Sequence, residues 1–222
     1  MNVTNIETNS SDYEIKAWYD TNEDTIFYYT EQKKIYLPDN IWGMFFNFSK
    51  LKSLDLSDFD SSYVTNLSHM FTQCYELEEV NLSSFDTSKV TDMEQMFRFS
   101  RKIKYLNLSN FNTEKVTNMN EMFDNMHNLI ELDISNFNTK NVKNMNRMFA
   151  KYMGTGDMLE KIYVNNDFDI SNLISANHPF DERKKLRGGK GSFLVNPRDA
   201  DKTWLRIDDP DNGRPGYFTR KS

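Results

Sequence analysis

The chain has 222 residues, of which 38% are hydrophobic, 14% aromatic and 27% charged, with a formal net charge of -6. Its pI near 5.2 and mean hydropathy of -0.73 speak against a nucleic-acid binder, which usually carries a basic excess, while the aromatic content is too high for a disordered polymer. No stretch approaches the roughly 20 consecutive apolar residues of a membrane span, and the first twenty residues lack the basic start and apolar middle of an export signal. The single cysteine, Cys74, excludes an internal disulfide and any multi-cysteine metal site.

In chain order, residues 1–12 are polar and read as a flexible leader. Residues 13–50 read as an amino-terminal cap: TIFYYTEQKKIYL looks like a hairpin turning at Glu31 to Lys34. Asn40, Ile41, Met44 and Phe45 then match the helical half of a repeat that follows. That repeat starts at Leu51, Leu77, Ile103 and Leu129, each 26 residues apart without a gap, and fills residues 51–158 with a short insertion near Gly154 and Gly156. A degenerate fifth copy spans 159–180. Residues 181–222 are turn-rich and read as a β cap closing the same domain.

Each unit has two halves. Leu77, Val80 and Leu82 alternate with Glu79, Asn81 and Ser83, as in a strand. Val90, Met93, Met96 and Phe97 form one stripe of a short helix, with Asp92 (and Asn66, Asn118 and Asn144 elsewhere) placed to cap it. Asp92 with Gln95 and Asn118 with Glu121 have capping-box spacing. One such unit cannot bury its apolar edges alone, so several must stack. The expected fold is an α/β repeat solenoid with a parallel sheet on one face, short helices on the other and β-rich caps. Phe59, Phe85, Phe111 and Phe137 stand where the leucine-rich consensus usually has Asn, and we read them as a stacked interior spine.

The strand motif L-x-x-L-x-L is leucine-rich-repeat-like. The wider pattern, SSFDTSKVTDMEQMF with its copies, AWYDTNEDTIFYYTEQKKIYL before it, and LRGGKGS, WLRID and PGYFT after it, resembles the BspA-like leucine-rich-repeat surface proteins of bacteria. The resemblance covers roughly residues 15–220. It implies a surface-exposed or secreted binding protein, often an adhesin toward host proteins or neighbouring cells, and it brings no catalytic residues. The family often has Cys after the MF pair; here Ser100 and Met126 stand at the places equivalent to Cys74.

Catalytic chemistry is not expected, nor a cofactor or metal: His69, His127 and His178 share no ligand-like spacing. The glycines at 188, 189 and 191 beside Lys184, Lys185, Arg187 and Lys190 lack the strand and helix of a phosphate cradle and read as a basic turn. Met70, Met96, Met122 and Met148 read as core. The candidate binding surface is the outward side of the sheet. Its first column is Ser53, Glu79, Tyr105, Glu131 and Lys161; its second is Asp55, Asn81, Asn107, Asp133 and Tyr163. The second also fits a hydrogen-bonded ladder holding neighbouring strands in register. Residues 181–222 carry 11 basic and 7 acidic side chains, leaving the rest at -10. This charge split suggests a protein partner with basic features, or simple solubility, and the expectation is a non-enzymatic protein-binding module with no nucleic acid and no membrane span. The alternative is an intracellular interaction or inhibitor protein on the same scaffold.

Overall fold

The structure is a computed structural model that describes residues 4–5, 15–20, 25–31, 34–152 and 156–221. At the amino end, β1 (Thr4–Asn5) pairs antiparallel with β2 (Ile15–Asp20), and β2 pairs antiparallel with β3 (Thr25–Thr30), Ile15 facing Thr30. The rest of the expected leader, 1–3 and 6–12, lies outside the described residues. The hairpin therefore differs from the one expected. β3 pairs backward with β2, while β4 (Ile35–Tyr36) runs parallel to β6 (Phe59–Asp60). Burial explains the switch: Ile35 and Leu37 are in the core and Tyr36 is exposed, so the alternation draws β4 onto the repeats. Of the expected turn at Glu31 to Lys34, residues 32–33 lie outside the described set.

From there the described residues form small parallel strands and turns, with no closed barrel among them. β5 (Ser53–Asp55) pairs in parallel with β7 (Glu79–Asn81), each residue facing the one 26 positions on. β8 (Glu131–Asp133) pairs with β9 (Lys161–Val164) at an offset of 30, which absorbs the four-residue insertion. β10 (Phe218–Arg220) closes that sheet by lying parallel to β9. On the other side, bridges join Asn40 to Asn66, Asn66 to Asp92, Asp92 to Asn118, Asn118 to Asn144 and Asn144 to Ser175. Each unit thus lies parallel on the next, and Leu54, Leu82, Leu108 and Ile134 line one continuous core.

The expected short helices do not form; no α-helix occurs among the described residues. In the second half of a unit, alternate N–H groups leave for the next unit: Leu67, His69, Phe71 and Gln73 donate to the carbonyls of Asp92, Glu94, Met96 and Arg98. The intervening Met70, Thr72 and Cys74 donate back three residues, to Leu67, His69 and Phe71. Such a backbone needs left-handed residues, and φ is +61° at His69, +64° at Gln73, +54° at Gln95 and +53° at Glu121. Stacked reverse turns repeat every three or four residues, so their apolar stripe mimics a helix. Asn66, Asp92, Asn118 and Asn144 do accept a backbone N–H, but from the residue two places on, at 2.8–3.1 Å, as an Asx turn. The only helices described are three single 3₁₀ turns, Pro197–Asp199, Lys202–Trp204 and Pro210–Asn212.

The aromatic spine is also made by a different row. Phe85 and Phe111 are buried and Phe137 is half-buried, but the rings that stack are Phe45, Phe71, Phe97, Phe123, Phe149 and Phe180, with centroids 5.4–6.1 Å apart. The position three residues beyond Phe71, Phe97 and Phe123 explains the Cys, Ser and Met series. The Cys74 thiol lies 3.1 Å from the carbonyl of Phe45 and the Ser100 hydroxyl 2.9 Å from that of Phe71, one unit back in each case. Met126 and Tyr152 end the series. There the buried Arg183 takes over, donating to the carbonyls of Phe123, Met126, Phe149 and Ala150 and pairing with Asp157.

Candidate functional site

The two columns behave differently. In the second, Asp55, Asn81, Asn107 and Asp133 each accept the backbone N–H of the serine two residues on, at 2.9–3.1 Å, and Asn81 also donates to Asp55 at 2.9 Å. These residues turn the chain at the strand end, so their recurrence is a requirement of the turn. The first column carries no such duty. Glu79, Tyr105, Glu131 and Lys161 are exposed and Ser53 half-exposed, with Ser53 facing Glu79 and Glu131 facing Lys161 in register.

The sheet divides in the middle. Residues 103–108 take no strand conformation, so β5–β7 and β8–β9–β10 are separate sheets with the unit of Tyr105 between them. At this break lies a groove of about 660 Å³. Val80 and Leu106 are part of its apolar lining, with the carboxylates of Glu79 and Glu131 and the ring of Tyr105, which is 72% exposed. Asn107, Asp133 and Tyr163 complete the predicted residues that meet there; Ser53, Asp55, Asn81 and Lys161 lie on the same face outside it. The Tyr163 hydroxyl donates to Glu131 at 3.2 Å.

Sequence reasoning missed Lys221. Its ammonium enters the groove and pairs with Asp133, 88 residues earlier in the chain. Burial would raise the Asp133 carboxyl, but hydrogen bonds from Lys221 and Ser135 outweigh it and hold the group below the ordinary carboxylate range. The only sequence-level signal for this contact was the alternation of Phe218, Thr219 and Arg220, which lets β10 be drawn as a strand but does not say which strand it joins. The apolar floor was missed for a simpler reason: Val80 and Leu106 are core positions in the repeat pattern, and only the break exposes them to a groove.

Elsewhere the candidates settle into structural work. Met70, Met96, Met122 and Met148 are fully buried. Burial pushes the Cys74 thiol up to about 12, against a backbone hydrogen bond at Phe48 that lowers it. The glycine turn already holds an anion of its own: the Asp208 carboxylate accepts the N–H groups of Lys190 at 2.8 Å and Ser192 at 3.0 Å. A side chain at Gly188 would fall 2.2 Å from the Gly216 carbonyl oxygen and 2.5 Å from Asp208, so glycine is required there by close approach.

Comparison with protein families gives a match to the family described as Mycoplasma protein of unknown function, DUF285, over residues 39–162 and again over 98–195. The chain belongs to this family. DUF285 is associated with BspA-like repeat surface proteins, in line with the resemblance of the repeats. No curated protein and no solved structure matches the chain. No helix among the described residues is long and apolar enough to cross a membrane.

Proposed function

We propose that this DUF285 member is a non-enzymatic protein-binding module of the BspA-like type, built as a leucine-rich-repeat-like solenoid and displayed at the cell surface or secreted. One observation carries the reading. On the outward face, Asp55, Asn81, Asn107 and Asp133 of the second column are the side chains their turns need, while the first column changes from Ser to Glu to Tyr to Glu to Lys, and its Glu79, Tyr105 and Glu131 help line an open groove. Side chains on a stacked scaffold are held in place before a partner arrives, so little conformational entropy is lost when they bind. The association of DUF285 with BspA-like surface proteins supports display outside the cell, toward a host or neighbouring-cell protein.

The test is a photo-crosslinking residue at position 105, with a second at Ile174, which is exposed and outside the groove. In the cells that make the protein, the expected result is one discrete adduct from position 105 and none from 174. Equal crosslinking from both would remove the assignment of this face. An impermeant antibody should label intact cells; labelling only after lysis would make the module an intracellular interaction or inhibitor protein.

A further inference from the structure

Five of the exposed or half-exposed aromatic rings carry a cation of their own. Lys89 lies over Tyr63 at 4.6 Å, Arg98 over Phe99 at 4.6 Å, Arg101 over Tyr75 at 4.9 Å, Arg147 over Tyr152 at 4.8 Å and Arg187 over Phe193 at 4.2 Å. Tyr105 is more exposed than any of these, and no cation or ring covers it among the described residues. It is flanked instead by carboxylates. Glu79 and Glu131 occupy the same column one unit before and one unit after it. Both line the groove, with the tyrosine between them in the column.

We infer that the groove receives the guanidinium of an arginine in an extended segment of a partner protein, stacked on Tyr105 between Glu79 and Glu131. This rests on the protein-binding reading above and specifies the partner's chemistry. A guanidinium is planar, lies flat on an aromatic face and offers donors at its edge, so it can stack and meet carboxylates at once. Val80 and Leu106 give its aliphatic stem an apolar surface. Asp133 does not compete for the incoming charge, because Lys221 already neutralises it. Glu79 and Glu131 have no ion pair among the described residues, and Glu131 accepts the hydroxyl of Tyr163. The same carboxylates would repel a nucleic acid or an acidic peptide.

The probe is a fluorescently labelled octapeptide of alternating serine and arginine, compared by anisotropy titration with one in which citrulline replaces arginine. Citrulline keeps the shape and removes the charge. The arginine peptide should bind at least tenfold more tightly than the citrulline peptide. Glu79→Gln with Glu131→Gln should weaken it about tenfold or more and flatten its salt dependence. Tyr105→Ala should weaken it roughly 5- to 100-fold, and Tyr105→Phe should retain it. Glu76→Gln with Glu114→Gln, the same charge change away from the groove, should leave affinity unchanged. Equal binding of the citrulline peptide, or equal losses from both glutamine pairs, would overturn the inference. If the crosslinked adduct at position 105 persists while the arginine peptide fails, the guanidinium falls and the binding face stands. If both are lost, both fall.

Discussion

From residue 51 to 150 a unit is held chiefly by its neighbour's backbone; beyond residue 180 single side chains take over much of that work. Inside the stack, Leu67, His69, Phe71 and Gln73 find carbonyls on the next unit, and Met93, Gln95, Phe97 and Phe99 repeat the arrangement one unit later. The closing segment keeps such a register only where β10 lies on β9. Arg183 reaches into the core to satisfy carbonyls from two units, and Asp208 fills the glycine turn beneath Phe218. The difference teaches where stability is spread and where it is concentrated. A fault inside the stack costs one contact that recurs several times, whereas a fault in the cap removes a contact found once.

The sharpest way to break that comparison is Arg183→Met. The variant keeps an unbranched apolar side chain but leaves the carbonyls of Phe123, Met126 and Phe149 without their donor and Asp157 without its ion pair, while Ala150 keeps the N–H of Asn125. Removing one partner of a buried, hydrogen-bonded charge typically costs about 3–5 kcal/mol, and urea denaturation should show a loss in that range. A loss below about 1 kcal/mol would mean that water satisfies those carbonyls and that the cap is not held by this residue. Next, Phe111→Ala should cost about 3–4 kcal/mol by opening a hole between units, and Phe137→Ala, half-buried, about 1–2. Equal losses at the two positions would deny that burial sets the difference.

The repeat was legible because strict spacing of Leu, Val, Met and Phe over four units leaves few ways to stack them, and the register of β5 on β7 follows directly from it. The conformation of the second half was not legible. Val90, Met93, Met96 and Phe97 sit on one stripe in a helix or in stacked turns alike, and the deciding N–H groups bond to another unit. Left-handed φ at Gln95 and Glu121 leaves no trace in residue type, because neither is glycine. The outward columns could be read from alternation. The break at 103–108 and the arrival of Lys221 could not, since both depend on how units far apart in sequence settle against each other.

A smaller effect arises where stack meets cap. His127 is half-buried, and burial comes first among the causes that lower its pKa to about 4; the cations of Arg101, Arg183 and Lys151 lower it further, with Asp157 opposing. In the unfolded chain the imidazole titrates near 6.5. Between pH 6.5 and 4 the unfolded state therefore binds a proton that the folded state refuses, and stability falls as pH falls through that window. The full shift would correspond to about 3.4 kcal/mol, which partial exposure reduces to about 1–2. Melts of the native chain and His127→Gln at pH 7 and pH 4.5 should differ by that amount at the lower pH only. Parallel curves at both would remove His127 as the source.

Within the stack, the smallest expected change tests whether recurring contacts are individually dispensable. Cys74 and Ser100 do the same work, each reaching back to a phenylalanine carbonyl one unit away, and Met126 at the next equivalent place cannot. The molecule already tolerates one omission in this series. The carbonyl concerned is not left bare when the side chain goes, because Phe71 also accepts the N–H of Cys74 and Phe97 that of Ser100. Ser100→Ala should therefore cost only about 1 kcal/mol, the ordinary net worth of one buried hydrogen bond. Cys74→Ser should stay within about 1 kcal/mol of the native chain, since a hydroxyl is a stronger donor in nearly the same space. A buried thiol titrating near 12 is also not a thiolate at neutral pH, so alkylation by iodoacetamide in the folded protein should be slow and should track unfolding. A loss of 3 kcal/mol or more from Ser100→Ala would show that the interior, like the cap, depends on single contacts, and the contrast between the two regions would not hold.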